Sequence, residues 1–123
     1  MHEITSKEEL DEIMSGERPA VIDFWGQSCG PCLAMAPQYE ALAEHYAEED
    51  IGFYKLNTGH HPQLASMFNV RSIPTFIFVL DGKVVDHNVG ACDPQRLAKK
   101  VDTLLSKSRG ESFFDRLIGR KKG

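Results

Sequence analysis

The chain has 123 residues, 41% of them hydrophobic, and a net charge of −4. That length suits one compact domain burying roughly two-thirds of the surface its unfolded form exposes, and no run approaches the roughly 20 apolar residues of a membrane-spanning helix. The last 17 residues hold six of the 14 basic side chains and two of the 18 acidic ones, so a body of −8 carries a tail of +4; an acidic body argues against a nucleic-acid-binding core, which needs clustered Lys and Arg.

The N-terminus, Met1-His2-Glu3-Ile4, lacks the basic start and apolar run of a secretory signal, so the cytoplasm is the expected location. Thr5 with Glu8 and Ser6 with Glu9 offer overlapping capping boxes ahead of Leu10, Ile13 and Met14, which predicts a helix from about Lys7 to Ser15. After Gly16, the run Ala20-Val21-Ile22-Asp23-Phe24-Trp25 shows no alternation, as expected of a strand covered on both faces. Asp23 is the anomaly in it. A longer helix begins at Pro31, with Met35, Tyr39, Leu42 and Tyr46 at helical spacing and a kink expected at Pro37.

Ile51 to Leu56 reads as a strand and Pro62 to Phe68 as a short helix. Thr75–Leu80 and Lys83–Val89 flank Asp81-Gly82, a strong signal for a two-residue hairpin turn. Asp93 then caps a last helix with Pro94 at its first position and Leu97, Val101, Leu104 and Leu105 as its buried stripe. Strands alternating with helices, followed by a hairpin, predict an α/β sandwich around a mixed sheet. The composition shift at Ser108-Arg109-Gly110 marks the expected end of the folded body, giving a domain over 1–106 and a basic tail over 107–123.

Three cysteines are too few, and odd in number, for a disulfide framework, and two of them lie three positions apart in Trp25-Gly26-Gln27-Ser28-Cys29-Gly30-Pro31-Cys32. One stands just before the helix and the other a turn inside it, so both sulfurs lie on one side. Cys29 would face the positive end of the helix dipole and unpaired N–H groups, which favour its thiolate. Thiol-disulfide exchange then requires a second thiol within bonding reach, and Cys32 is that resolving thiol. Asp23 has two readings of equal weight: a proton acceptor for Cys32 whose pKa is raised by desolvation, or a buried carboxylate satisfied by hydrogen bonds.

Taken together, Asp23-Phe24-Trp25, Cys29-Gly30-Pro31-Cys32, Ile73-Pro74-Thr75 and Val89-Gly90-Ala91 resemble the thioredoxin family over about residues 1 to 106. The resemblance implies a central mixed five-stranded sheet flanked by four helices, with Cys29 as nucleophile and Cys32 as resolver. It places Asp23 and Lys55 at the family's buried acid and its lysine partner. Pro74 falls where the family has a cis proline, although only about 5 to 6% of X-Pro bonds in folded proteins are cis. It further implies that Ile73 pairs with a substrate chain as an added strand, and that Trp25, Gly30, Pro31, Gly90 and Ala91 border the same groove. The partners it implies are protein disulfides and a flavin-containing thioredoxin reductase. Gly30-Pro31 between the cysteines resembles the reducing members.

The expected cofactor is none beyond the Cys29–Cys32 disulfide, and a monomer is expected. A zinc site needs four ligands, and His60 and His61 would complete one only by coincidence of folding; adjacent histidines usually sit in solvated loops. His45 and His87 read as surface residues. Cys92, beside the rim, reads as a small semi-buried residue, with a modifiable thiol as the alternative. Ser28 stands where the family usually has tryptophan and Leu33 where it often has a basic residue, which removes a stacking surface and makes the groove less positive. These departures keep open a specialised redox protein with a restricted partner set, or a non-catalytic adaptor. In the tail, Phe113, Phe114, Leu117 and Ile118 share one helical face and basic residues follow, as in membrane-surface or partner-binding segments, with a flexible tail as the leading reading.

Overall fold

The structure, a computed structural model, describes the backbone of residues 1–118 and the side chains of residues 1–110. The elements run β1 (His2–Glu3), α1 (Lys7–Ser15), β2 (Ala20–Trp25), α2 (Gly30–His45), β3 (Gly52–Asn57), α3 (Pro62–Met67), β4 (Thr75–Leu80), β5 (Lys83–Val89) and α4 (Pro94–Ile118). The sheet order is β1-β3-β2-β4-β5, with β1, β3 and β2 parallel and β4 and β5 antiparallel.

The unbroken apolar run of β2 follows from its place at the centre of the sheet. Its side chains alternate between two cores. Ala20, Ile22 and Phe24 pack with Leu10 of α1, Leu64 and Ala65 of α3 and Leu56, Ile77 and Val79 of the sheet. Val21 faces the opposite layer, where Met35, Tyr39 and Tyr46 of α2 meet Phe76, Phe78 and the α4 stripe Leu97, Val101, Leu104 and Leu105. Each such side chain, fully buried, contributes roughly 1.5–3 kcal/mol before ordering costs.

Of the two capping boxes that the sequence offers, one half of the second forms: Ser6 caps α1 by accepting from the Glu9 N–H at 3.1 Å. The Glu9 carboxylate turns back to the Thr5 N–H at 2.7 Å and to the Thr5 hydroxyl. Asp81 and Gly82 have φ of 52° and 75°, the doubly left-handed turn that suits a two-residue hairpin. Pro37 lies within α2, which continues to His45.

Two features differ from expectation. β1 is only two residues long, too short to show any periodicity, and was not predicted from the residues; it pairs with β3 through His2↔Tyr54 and Glu3↔Lys55. α4 does not stop where the composition shifts but runs to Ile118. Its packing nevertheless matches the predicted stripe, Leu105 being the last buried residue through Gly110, and beyond it Arg109 forms an exposed ion pair with Glu49 at 2.9 Å. Residues 119–123, and the side chains Phe113, Phe114, Leu117 and Ile118, on which the tail readings depend, lie outside what is described.

Candidate active site

β2 ends at Trp25, and four residues, Gly26 to Cys29, carry the chain from the end of the strand into α2. Cys29 is the N-cap of α2, with φ −97° and ψ 105°, and its Sγ accepts from the Cys32 N–H at 3.1 Å. A sulfur thus occupies the place a Ser or Asp oxygen usually takes at a helix start, where unpaired amides and the helix dipole favour negative charge. Pro31 in the first turn gives up no needed N–H. Cys29 and Cys32 are joined as a disulfide with Cα atoms 5.2 Å apart. Cys29 is half-buried, whereas Cys32 is only 4% exposed.

Beside the disulfide runs the loop before β4. The Ile73–Pro74 bond is cis, as the family resemblance implies and against the base rate for proline. The Ile73 carbonyl oxygen lies 3.7 Å from Cys29 Sγ. A side chain on Gly26, just after β2, would put its Cβ 2.8 Å from Ile73 Cδ1, so the end of the Ile73 side chain would have to shift to make room. The Pro74 carbonyl accepts from the Gly90 N–H at 2.7 Å. Gly90, at φ +93°, is held from the other side by buried Asn88, whose amide donates to the Gly90 carbonyl at 3.1 Å and accepts from Arg96 Nε at 2.8 Å. Gly30, Pro31 and Ala91 are exposed, Trp25, Ile73 and Gly90 half-buried, and Pro74 buried. Of the predicted rim residues, Ile73 lies against Cys29 Sγ, and Pro74 links it to Gly90 through the backbone. Asn88 and Arg96 are supports that sequence reasoning missed, and no motif marks them.

Ser28 and Leu33 are both exposed next to the cysteines, Leu33 at 51%. The side chains around the pair are accordingly small or apolar. A separate groove, lined by Met67, Arg71, Val84, His87 and Val89 among others, lies beside α3 and includes neither cysteine.

Asp23 is 3% exposed and lies on the α2 side of β2, in register with Lys55 on one neighbouring strand and Phe76 on the other. Burial pushes its pKa up to about 7; Lys55 opposes this and Glu3 adds to it. Its Oδ1 has no hydrogen-bond partner among the described residues. An unpartnered oxygen suits the proton-acceptor reading, and the hydrogen-bonded alternative has no donor to it among the described residues. Lys55 does sit beside it, but its ammonium lies over the Trp25 ring, 4.5 Å from the centroid. The indole N–H of Trp25 donates to Glu3 Oε2 at 2.8 Å. Glu3 was not foreseen, since 22 residues separate it from Trp25 and β1 gave no signal.

Cys92 is half-buried, its N–H points at Met35 Sδ at 3.3 Å, and burial pushes its thiol pKa up, which favours the unreactive form. His45, His60 and His87 are exposed.

A mixed five-stranded sheet between two helical layers, with a disulfide at the start of α2 and a cis proline beside it, defines a thiol-disulfide oxidoreductase. The thioredoxin family profile matches residues 1–103. A thioredoxin of Chlorobaculum thiosulfatiphilum is 40% identical over 81% of this chain and 92% of its own. An M-type chloroplastic thioredoxin of Pisum sativum is 39% identical over 84% of this chain and 60% of its own. The crystal structure of Malassezia sympodialis thioredoxin superposes with a TM-score of 0.80 at 32% identity, covering 85% of this chain and 90% of that one. The chain belongs to the thioredoxin family. No helix among the described residues is long and apolar enough to cross a membrane.

Proposed function

We propose that this chain carries reducing equivalents to protein disulfides through the Cys29–Cys32 pair. The Cys29 thiolate attacks one sulfur of a substrate disulfide; that bond breaks, the other substrate sulfur leaves as a thiolate, and a mixed disulfide forms. Cys32 then passes its proton to Asp23 and attacks Cys29 Sγ, closing the Cys29–Cys32 disulfide while the second substrate sulfur leaves as a thiolate, and Asp23 returns the proton to water or to that thiolate. Lys55 tunes Asp23. Ile73 and cis-Pro74 present backbone to the extended substrate, and Trp25, Gly30, Pro31, Gly90 and Ala91 border it. Two electrons pass to the substrate, and a thioredoxin reductase restores them. The reaction requires no cofactor or metal beyond the cysteine pair.

The observation that carries this reading is the contrast between the two sulfurs: Cys29 is accessible and accepts an amide at the helix start, while Cys32 is buried. A reducing compartment suits such a carrier, and the cytoplasm is the proposed one, with the protein acting as a monomer. The basic tail over 107–123 is proposed as a docking element for a partner or an anionic surface, separate from the catalytic body over 1–106. Exposed Ser28 and Leu33 favour a partner set narrower than that of an ordinary thioredoxin. The test is Cys32→Ser, which removes the resolving thiol. Covalent complexes through Cys29 that dithiothreitol releases are the expected result; their absence, with activity retained by partners in Cys29→Ser, would establish the adaptor instead.

A further inference from the structure

We propose that Glu3 is a positioning residue of the site, fixing the Trp25 indole and the Lys55 ammonium beside Asp23. The inference deepens the reading of Asp23 as proton acceptor and rests on it.

The two residues of β1 add little to the sheet by themselves, yet they set Glu3 in register with Lys55, which is in register with Asp23 on the next strand. Residues paired this way project to one face of a sheet, so a row of negative, positive and negative charge crosses β1, β3 and β2. Trp25 lies two residues beyond Asp23 and projects to the same face. Its indole reaches back across β3 to donate to Glu3 at 2.8 Å, and Lys55 lies against the ring. The backbone that carries Glu3 is held at its next residue: Ile4, fully buried, donates its N–H to the Lys55 carbonyl at 2.8 Å.

Glu3 therefore acts on Asp23 in two ways. Its hydrogen bond orients the ring that carries Lys55, the cation opposing the burial of Asp23. Its own charge raises the proton affinity of Asp23 directly. The other titratable group toward Asp23 comes from α2: Tyr39, whose hydroxyl donates to the Val21 and Tyr54 carbonyls and whose pKa burial raises well above the ordinary tyrosine value, so that it is uncharged near neutrality.

The full-length oxidised protein supplies the test, with the Asp23 carboxyl carbon and the single tryptophan's indole N–H followed by NMR against pH. Glu3→Gln keeps an oxygen acceptor for the indole and removes the charge. Asp23 is then expected to titrate lower by roughly a few tenths to one pH unit, the size of a partly screened charge nearby, with the indole resonance little moved. Glu3→Ala is expected to shift the indole resonance toward that of a solvated ring and, because Lys55 loses its support, to leave the Asp23 midpoint above that of Glu3→Gln. An Asp23 midpoint unchanged in both variants, or an indole resonance unmoved in Glu3→Ala, overturns the proposal. The rate of mixed-disulfide release in the reduced protein is expected to follow the Asp23 midpoint. A shifted midpoint with an unshifted rate profile supports the placement of Glu3 and instead removes Asp23 as the acceptor.

Discussion

Replacing Asp23 with Asn should stabilise the oxidised protein, and the gain should depend on pH in a defined way. The carboxyl is raised from 3.8 to about 7, chiefly by burial. Between those values the native state holds a proton that the unfolded state has lost, so the parent protein loses stability as pH rises through that window and levels off above about 7. A shift of about three units corresponds to about 4 kcal/mol. Part of this is offset in Asp23→Asn because a buried amide needs partners of its own, at about 1–3 kcal/mol when they are missing. The expected net gain is therefore about 1–3 kcal/mol near pH 8, turning to a net loss of about 1–3 kcal/mol below about pH 4, where the parent carboxyl is neutral in both states. Urea unfolding of oxidised parent and variant at intervals from about pH 5 to pH 8 measures it, since the disulfide removes the titration of Cys29 and Cys32 from both. A difference that does not grow with pH, or a variant no more stable than the parent at pH 8, would refute the account of Asp23 as a desolvated carboxylate.

In the reduced protein, limiting iodoacetamide near neutrality should label Cys29 first, because its sulfur is both accessible and at the helix start; peptide mapping that finds Cys32 labelled first would reverse the roles. Gly82→Ala should destabilise by about 1–2 kcal/mol or more in chemical unfolding, as its φ is +75° and the new Cβ would stand 2.5 Å from the Met14 carbonyl oxygen; an unchanged midpoint would contradict that geometry. Truncation after Gly110 retains the buried stripe ending at Leu105 and the exposed Arg109–Glu49 pair, so unfolding free energy should change by less than about 0.5 kcal/mol while binding to anionic vesicles or a dedicated partner weakens. A loss above about 1.5 kcal/mol, the size of one buried large side chain, would make the deleted residues part of the fold.

Most of the fold was legible because its elements carry strong local signals. The unalternating run of β2, the hairpin around Asp81-Gly82 and the stripe of α4 each follow from burial on a known face, and all three recur at the predicted residues. β1 was not legible from the residues, since two residues carry no period and the strand exists through its pairing with β3. The composition break at Ser108 does not coincide with the end of α4, because helical backbone bonds do not depend on composition and continue to Ile118. At the site, Cys29 and Cys32 stood out by spacing and Asp23 by being a charge in an apolar strand. Glu3, Asn88 and Arg96 are ordinary polar residues in ordinary contexts, made part of the site only by contacts that span 22 and 8 residues of sequence.

On the proposed reaction the two halves of exchange make opposite demands on the protein, and the structure separates them by depth. Attack needs an accessible thiolate, and the start of α2 supplies one with backbone amides alone, at no cost in buried charge. Release needs a proton taken from Cys32, a group that is 4% exposed. An acceptor there must be buried too, and a buried carboxylate with an unpartnered oxygen weakens the fold. The instability attributed to Asp23 thus belongs to the second step and not to the first. Substitutions at Asp23, Lys55 and Glu3 should change release and its pH dependence while leaving attack near its parent rate, and those at Pro74 and Gly90 should do the reverse. Rapid-mixing kinetics that resolve the two steps would show the division, and a Glu3 variant slowed mainly in attack would break it.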